Sequence, residues 1–228
     1  MIKYFRLAAV IAAVLVSACS KSVGPNEDSQ QAAQQAQAML AQGGSADGKS
    51  LYGACVACHG DKGQGNAALG APSLTNQQSW YIQRQLEYFK NGTRGTHPED
   101  AFGDQMRALA SSLDEAAMAS LADYIDGFSN KPATATLQGN VKRGADYYSN
   151  LCGACHGPEA EGNELLSAPA LAGVDDWYLL RQFKHFENGL RGADESEKYA
   201  YQMGLMGKVL PDADVARDVI VYIQSLAD

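Results

Sequence analysis

The sequence has little cysteine, a shortage of basic residues and almost no long hydrophobic run. Five of the 228 residues are cysteine, and four of them form two copies of one short motif, so no pair is left for a structural disulfide. The 18 basic residues are outnumbered by 26 acidic ones, which gives a net charge of −8 and argues against nucleic acid as a partner. Few segments alternate apolar and polar residues as strands do, which argues against a β fold.

The motif C-x-x-C-H occurs twice, 97 positions apart. Its copies are Cys55, Cys58 and His59 in the first, and Cys152, Cys155 and His156 in the second. Two thiols on one turn can form thioethers with both vinyl groups of a porphyrin, while the next residue offers its imidazole to the iron. A zinc site would need four convergent ligands, and a redox dithiol does not need the trailing histidine. The motifs therefore predict two covalently attached haem c groups, with His59 and His156 as iron ligands.

The offset of 97 residues continues beyond the motifs and indicates a duplicated domain. Matched pairs include Gly65 with Gly162, Pro72 with Pro169, Trp80 with Trp177, Arg94 with Arg191 and Met106 with Met203. We predict a first repeat at residues 45–130 and a second repeat at residues 131–228, with a linker near residues 127–139. Apolar side chains at helical spacing, such as Ile82 and Leu86, predict an all-α fold in which each repeat packs around one haem.

The sixth ligand of each iron decides between electron transfer and small-molecule chemistry. Met106 and Met203 each lie 47 residues after the histidine of their motif, and thioether ligation raises the reduction potential. Met206 competes with Met203 in the second repeat, and His97 is a weaker alternative in the first. We otherwise expect His97 and His185 at the surface. The sequence predicts Met106 and Met203 as axial ligands.

The N-terminus has the pattern of a secretory signal. Lys3 and Arg6 precede an apolar stretch at residues 7–16 that is too short to span a bilayer comfortably. We predict a signal peptide over residues 1–18. Its removal leaves 16 basic and 26 acidic residues, a net charge of −10.

Cys19 follows this signal in a segment, Val16-Ser17-Ala18-Cys19, that resembles the lipobox of bacterial lipoproteins. Lipidation of Cys19 would hold the protein on a membrane, whereas ordinary cleavage nearby would release a soluble protein. Residues 19–44 are rich in glutamine and alanine and predict a flexible tether. We expect the protein in the periplasm, anchored to a bacterial membrane.

The order of cysteines, histidine and distal methionine resembles class I cytochromes c, and the tandem arrangement over residues 45–228 is similar to the di-haem cytochrome c4 family. The blocks WYIQRQL at residues 80–86 and WYLLRQF at residues 177–183 strengthen the resemblance. In such folds a proline carbonyl accepts the N–H of the axial histidine, which matches Pro72 and Pro169. The resemblance also implies contacts to the haem edges and propionates from Trp80, Tyr81, Arg84, Trp177, Tyr178 and Arg181.

These features favour an electron carrier over an enzyme, with redox proteins as partners and no small-molecule substrate. The donor would be a quinol-oxidising complex or a periplasmic dehydrogenase, and the acceptor a terminal oxidase. Two alternatives are a di-haem peroxidase and a dedicated electron-transfer subunit of a periplasmic oxidoreductase. Methionine at equivalent positions of both repeats argues against the peroxidase, which requires an open iron.

Three acidic residues, Glu159, Glu161 and Glu164, follow the second motif. The matched positions of the first repeat carry Lys62, Gln64 and Ala67. We therefore expect the two haem edges to face different partners.

Overall fold

The computed structural model describes residues 24–41, 47–129 and 131–227, and helices joined by loops make up these ranges. The helices are α1 (Glu27–Ala41), α2 (Gly48–Tyr52), α3 (Val56–His59), α4 (Ser79–Asn91), α5 (Ala101–Ala110), α6 (Glu115–Asp126), α7 (Val141–Tyr147), α8 (Gly153–His156), α9 (Asp176–Glu187), α10 (Lys198–Met206) and α11 (Ala213–Gln224). These ranges hold no strand, only two isolated bridges that join Asn66 to Ala71 and Asn163 to Ala168. The all-α prediction is confirmed. The predicted signal peptide and Cys19 lie outside the described residues.

The core of the first repeat forms where α6 packs against α2 and α4. Asp47 and Asp114 begin α2 and α6, because each carboxylate accepts a hydrogen bond from a backbone N–H that the first turn leaves unpaired. Met118, Leu121 and Ile125 then fall on one buried face of α6. Met118 is therefore a core side chain.

The second repeat is built in the same way, with α11 packed against α7 and α9. A short π-helical segment, Tyr148–Cys152, leads from α7 into α8. Tyr148 is buried and donates a hydrogen bond of 2.6 Å to the carbonyl of Gly157, as Tyr52 does to Gly60 at 2.7 Å. Each tyrosine therefore fixes the turn that carries a C-x-x-C-H motif.

The chain between the repeats is held down by Asp176. This carboxylate is 1% exposed and accepts hydrogen bonds from Thr136 N, Thr136 Oγ1 and Leu137 N at 2.6 to 2.7 Å. Burial raises the pKa of Asp176, but these bonds and one from Trp177 outweigh burial and hold the pKa below its usual value of 3.8. The predicted linker is thus packed against the start of α9.

Replacing Asp176 with asparagine should lower the free energy of unfolding at pH 7 by about 2 kcal/mol, because buried donors lose their acceptor. A lowered folded-state pKa means that the wild-type contribution is complete above pH 3.8 and disappears as the pH falls through the folded value. The gap between wild type and D176N should therefore close in acid. Denaturant unfolding of the haem-loaded protein between pH 7 and pH 2 measures this gap. The exposed Asp126→Asn is the control, and a gap that persists in acid would contradict the prediction.

Residues 27–41 differ from the flexible tether that the sequence predicted. They form α1, whose small residues Ser29, Ala33 and Ala36 are buried against the first repeat. Asn26 begins the helix, because its Oδ1 accepts from Ser29 N at 2.9 Å. Alanine and glutamine are strong helix formers, and alanine lets two helices approach closely without a large apolar side chain. No described helix is long and apolar enough to cross a membrane.

Candidate cofactor sites

Each motif forms one tight turn that places its two thiols and its imidazole together. In the first repeat His59 N donates to Cys55 O at 2.8 Å, and Gly60 ends α3 with a positive φ of 79°. In the second repeat α8 carries the matching turn and ends at Gly157 with a φ of 83°. His59 and His156 are both buried.

Hydrogen bonding fixes the tautomer of both histidines. His59 Nδ1 lies 2.8 Å from the carbonyl oxygen of Pro72, and His156 Nδ1 lies 2.9 Å from that of Pro169. A carbonyl can only accept, so Nδ1 carries the proton in each ring. Burial lowers the pKa of both imidazoles, although the bonds to the prolines oppose it, and a neutral ring then keeps a lone pair on Nε2. That nitrogen suits a metal ion.

A glycine lets the backbone pass close to each proline. Gly65 N donates to His59 O at 2.8 Å, and Gly162 N makes the same bond to His156 O. Both glycines have a positive φ, 77° and 83°, and a Cβ at Gly65 would lie 2.5 Å from the nitrogen of Ser73. Only glycine fits this backbone, which explains its place in the repeat.

A cavity of about 590 Å³ brings the predicted ligands of both repeats together. Its walls are mainly apolar and include Cys55, Cys58, His59, Pro72, Met106, Cys152, Cys155, His156, Pro169, Met203 and Met206. The chain therefore places a methionine and a neutral histidine in one apolar space in each repeat. Because both Met203 and Met206 line it, the choice between them stays a prediction.

Burial raises the pKa of Cys55 to about 12 and that of Cys152 to about 11, which disfavours the thiolate that disulfide exchange needs. No group of three or more His, Cys, Asp or Glu side chains could hold a metal ion within the described ranges. Both alternatives lose support.

The six residues implied by the family resemblance divide into two groups. Tyr81, Arg84, Tyr178 and Arg181 line the cavity, whereas Trp80 and Trp177 do not. The tryptophans lie under the arginines instead: the Arg84 Cζ is 4.9 Å from the Trp80 ring centroid, and the Arg181 Cζ is 5.0 Å from that of Trp177. The indoles hold the guanidinium groups in place by cation–π contact.

The sequence reasoning missed a cluster of charged and polar residues between the repeats. The members of this arginine–glutamine cluster are Arg94, Arg191, Gln85, Gln182, Tyr81 and Tyr178. Arg94 donates to Gln85 at 2.9 Å, to Gln182 at 2.8 Å and to Tyr178 at 2.9 Å. Arg191 donates to Gln182 at 2.9 Å, to Gln85 at 2.6 Å and to Tyr81 at 3.3 Å. The sequence signal that could have indicated this cluster is that its members match in pairs at the 97-residue offset.

Positive charge is in excess in this cluster. Arg94 and Arg191 are each 6% exposed, and among the described residues no carboxylate accepts a hydrogen bond from either of them. The Nε atoms of Arg94, Arg181 and Arg191 are buried without a partner. Although burial raises the pKa of Tyr178, these three cations outweigh it and lower that pKa below its usual value. An apolar ligand with anionic substituents, such as haem with its propionates, fits this donor set.

The predicted surface position of His185 is wrong. It was expected at the surface, but its side chain is only 13% exposed, and its Nδ1 lies 3.8 Å from the buried carboxylate of Asp100 in the other repeat. Burial lowers the pKa of His185, while Asp100 opposes this effect. Helix packing between the repeats, which a single sequence does not reveal, explains the difference.

Comparison with known proteins gives a consistent set of similarities. The family model for cytochrome c matches the chain twice, over residues 45–129 and 141–227. Cytochrome c4 of Azotobacter vinelandii is 30% identical over 196 residues, which cover 82% of this chain and 90% of that protein. The thiosulfate dehydrogenase electron acceptor of Thiomonas intermedia (strain K12) is 33% identical over 150 residues, covering 61% of this chain and 65% of that protein.

A solved structure shows the same likeness in three dimensions. The cytochrome c4 of Acidithiobacillus ferrooxidans superposes with a TM-score of 0.61 at 26% identity, covering 76% of this chain and 99% of that one. Each stretch that matches the family model contains one C-x-x-C-H motif, and α1 lies outside both stretches.

Proposed function

The chain belongs to the cytochrome c family and is a di-haem electron carrier, and we propose that it carries electrons in the periplasm while attached to a membrane. The family match confirms the two tandem cytochrome c domains, the likeness to cytochrome c4 and the two covalently bound haem c groups. The equivalence of the two sites carries the proposal. Both repeats bring a neutral histidine and a methionine to one apolar cavity.

We assign the attachment and ligand residues as follows. Cys55, Cys58, Cys152 and Cys155 would form the thioethers, and the iron ligands would be His59 with Met106 in the first repeat and His156 with Met203 in the second. When bound, each haem supplies an iron that alternates between ferrous and ferric states and so carries one electron. Pro72 and Pro169 keep the proton on Nδ1 of each histidine, which leaves Nε2 directed to the metal.

The residues between the repeats have an electrostatic role in this proposal. Arg94 and Arg191 supply buried positive charge that compensates the propionates, and Gln85 and Gln182 hold both guanidinium groups in position. A fixed polar environment needs little reorganisation when an electron arrives. Tyr81, Arg84, Tyr178 and Arg181 complete the wall of the cavity on this side.

Membrane attachment rests on the sequence. We propose that Cys19 becomes the lipidated N-terminus after removal of residues 1–18. Replacing Cys19 with serine should then move the protein from the membrane fraction to the soluble periplasmic fraction, with both haems still attached. Fractionation with haem staining measures this, and Ser20→Ala is the control. A C19S protein that stays with the membrane would contradict lipidation.

Two partner assignments follow from this reading. We propose a quinol-oxidising complex or a dehydrogenase as donor and a terminal oxidase as acceptor. Similarity to a protein described as a thiosulfate dehydrogenase electron acceptor favours a second candidate, in which one periplasmic oxidoreductase is the dedicated donor. Both candidates use the same chemistry and differ only in partner.

A spectroelectrochemical titration tests the carrier function. We expect two reversible one-electron steps at positive potentials, no carbon monoxide binding to the reduced protein, and no turnover of hydrogen peroxide with a reduced donor. Methionine on both irons is the reason, because it leaves no open coordination position. Carbon monoxide binding with peroxide turnover at enzymatic rates would support the peroxidase alternative instead.

A further inference from the structure

Helix α1 lies across the cavity wall of the first repeat. It packs against α3, which carries His59, and against α5, which carries Met106. Ala33 and Leu40 line the cavity itself, and Leu40 also packs against the core of the repeat. At the start of the helix Asn26 Nδ2 donates to Ala68 O at 3.1 Å. The helix therefore covers the part of this face that α3 and α5 form next to the first haem site.

The corresponding face of the second repeat is open and apolar. Leu165 is 94% exposed, and Leu166, Leu205 and Val209 are 47 to 50% exposed. We call these four residues the leucine face. Leu166 and Leu205 also line the cavity, so the leucine face borders the site of the second haem. Cys155 is exposed, whereas its counterpart Cys58 is half-buried.

Sequence differences at matched positions agree with this asymmetry. Leu165, Leu205 and Val209 correspond to Ala68, Ala108 and Ser112 in the first repeat. The first repeat thus has small residues at three positions where the second repeat has large exposed apolar ones. Large exposed apolar side chains that border a functional cavity are typical of a protein interface.

We infer that the leucine face docks a redox protein whose contact surface has an apolar centre and a basic rim, and that α1 closes the first repeat to such partners. This inference rests on the proposed carrier function. The exposed carboxylates of Glu159, Glu161 and Glu164 stand beside the leucine face in the chain, and the whole chain has a net charge of −8. That charge favours a basic protein and disfavours a membrane surface of anionic lipids. Electrons exchanged with the partner then pass through the second repeat, and the first repeat exchanges them with the second.

The test uses the full haem-loaded chain and a small basic single-haem cytochrome c as the probe. The double variant L165Q/V209Q, at two positions of the leucine face that do not line the cavity, should slow electron exchange with the probe about tenfold at low ionic strength, because the centre of the interface is lost. Val141→Gln is the matched control, since Val141 is 45% exposed but lies on α7, outside the cavity wall. Exchange with a small inorganic oxidant should stay unchanged in both variants.

Hydrogen exchange gives a readout that does not depend on electron transfer. The probe should protect residues 164–166 and 205–209 of the wild type and leave residues 67–69 unaffected. Ala36→Glu places a charge at a position that is 2% exposed and should displace α1, so that the probe also protects residues 67–69. Ala38→Glu, at an exposed position of the same helix, should not. Circular dichroism checks folding, and if A36E does not fold, L165Q/V209Q and the wild-type protection pattern decide the question.

Salt dependence tests the basic rim. The variant E159Q/E161Q/E164Q should reduce the fall in exchange rate between low and high ionic strength, because fewer charges attract the probe. An unchanged salt dependence would contradict the acidic contribution to docking.

Three results would overturn the inference while the carrier function stands: an L165Q/V209Q rate equal to wild type, protection of residues 67–69 in the wild type, or protection of the leucine face by vesicles of anionic phospholipid instead of by the probe. Failure of the carrier function would give a different result, namely the absence of two reversible steps in the spectroelectrochemical titration. The two failures are therefore distinguishable.

Discussion

Replacing Met106 with histidine should lower the reduction potential of the first haem by on the order of 0.1 V, a fraction of the range of about 0.8 V that axial ligands set. A thioether stabilises the ferrous iron more than an imidazole does, so the loss of sulfur favours the ferric state. Spectroelectrochemical titration measures the shift, and the charge-transfer band of sulfur-ligated ferric haem should fall by half. Met118→Leu is the control, because Met118 is a buried core residue of the same repeat.

The same measurement decides the ligand of the second haem. M203H should lower the second potential and remove the remaining half of the band, whereas M206H should leave both nearly unchanged. The reverse result would assign Met206, which also lines the cavity. An M106H protein with an unshifted potential and a full band would contradict the ligand assignment in the first repeat.

Replacing Arg94 with methionine should lower the free energy of unfolding by about 3 kcal/mol, since it removes one partner from a buried charged network. Arg94 bridges Gln85 of its own repeat and Gln182 of the other, so the loss falls on the contact between the repeats. The potentials of both haems should also fall by tens of millivolts, because a buried positive charge favours the ferrous state over the more positive ferric state. Denaturant unfolding and a redox titration measure the two effects.

Two variants control this prediction. Arg191→Met, at the matched position of the second repeat, should reproduce both effects because Arg191 bonds to the same two glutamines. Arg107→Met removes an exposed arginine that pairs only with Asp104 three residues earlier, and should cost about 0.5 kcal/mol or less. If R94M and R107M unfolded with equal free energies, the arginine–glutamine cluster would have no special role.

Short, local patterns made much of this protein predictable from sequence. The C-x-x-C-H motifs indicated the cofactor because the chemistry requires those residues within one turn. The 97-residue offset predicted the two repeats, and the aspartates that begin α2 and α6 occupy positions that cap helices by local hydrogen bonds. Each of these features is decided within a few residues or by exact repetition.

Packing between distant segments was not predictable in the same way. Nothing in the amino-acid sequence distinguishes Arg94, which is buried between the repeats, from Arg84, which lies over Trp80 and Tyr199. Residues 27–38 lack large apolar side chains, so their pattern predicted a tether, while α1 is held by close contact of small alanines and by Leu40. The burial of His185 was not predictable either, because its partner Asp100 lies 85 positions earlier in the chain, at the start of α5.

The shared acceptors of the arginine–glutamine cluster limit how far one repeat can evolve independently of the other. Gln85 and Gln182 each accept hydrogen bonds from both Arg94 and Arg191. A fragment that contains only one repeat would therefore expose a guanidinium group that has lost most of its acceptors. The two duplicated repeats thus depend on each other for these hydrogen bonds. Replacing one repeat with that of a distant relative should yield a well-folded chimaera only if the incoming repeat has glutamine and arginine at the matched positions.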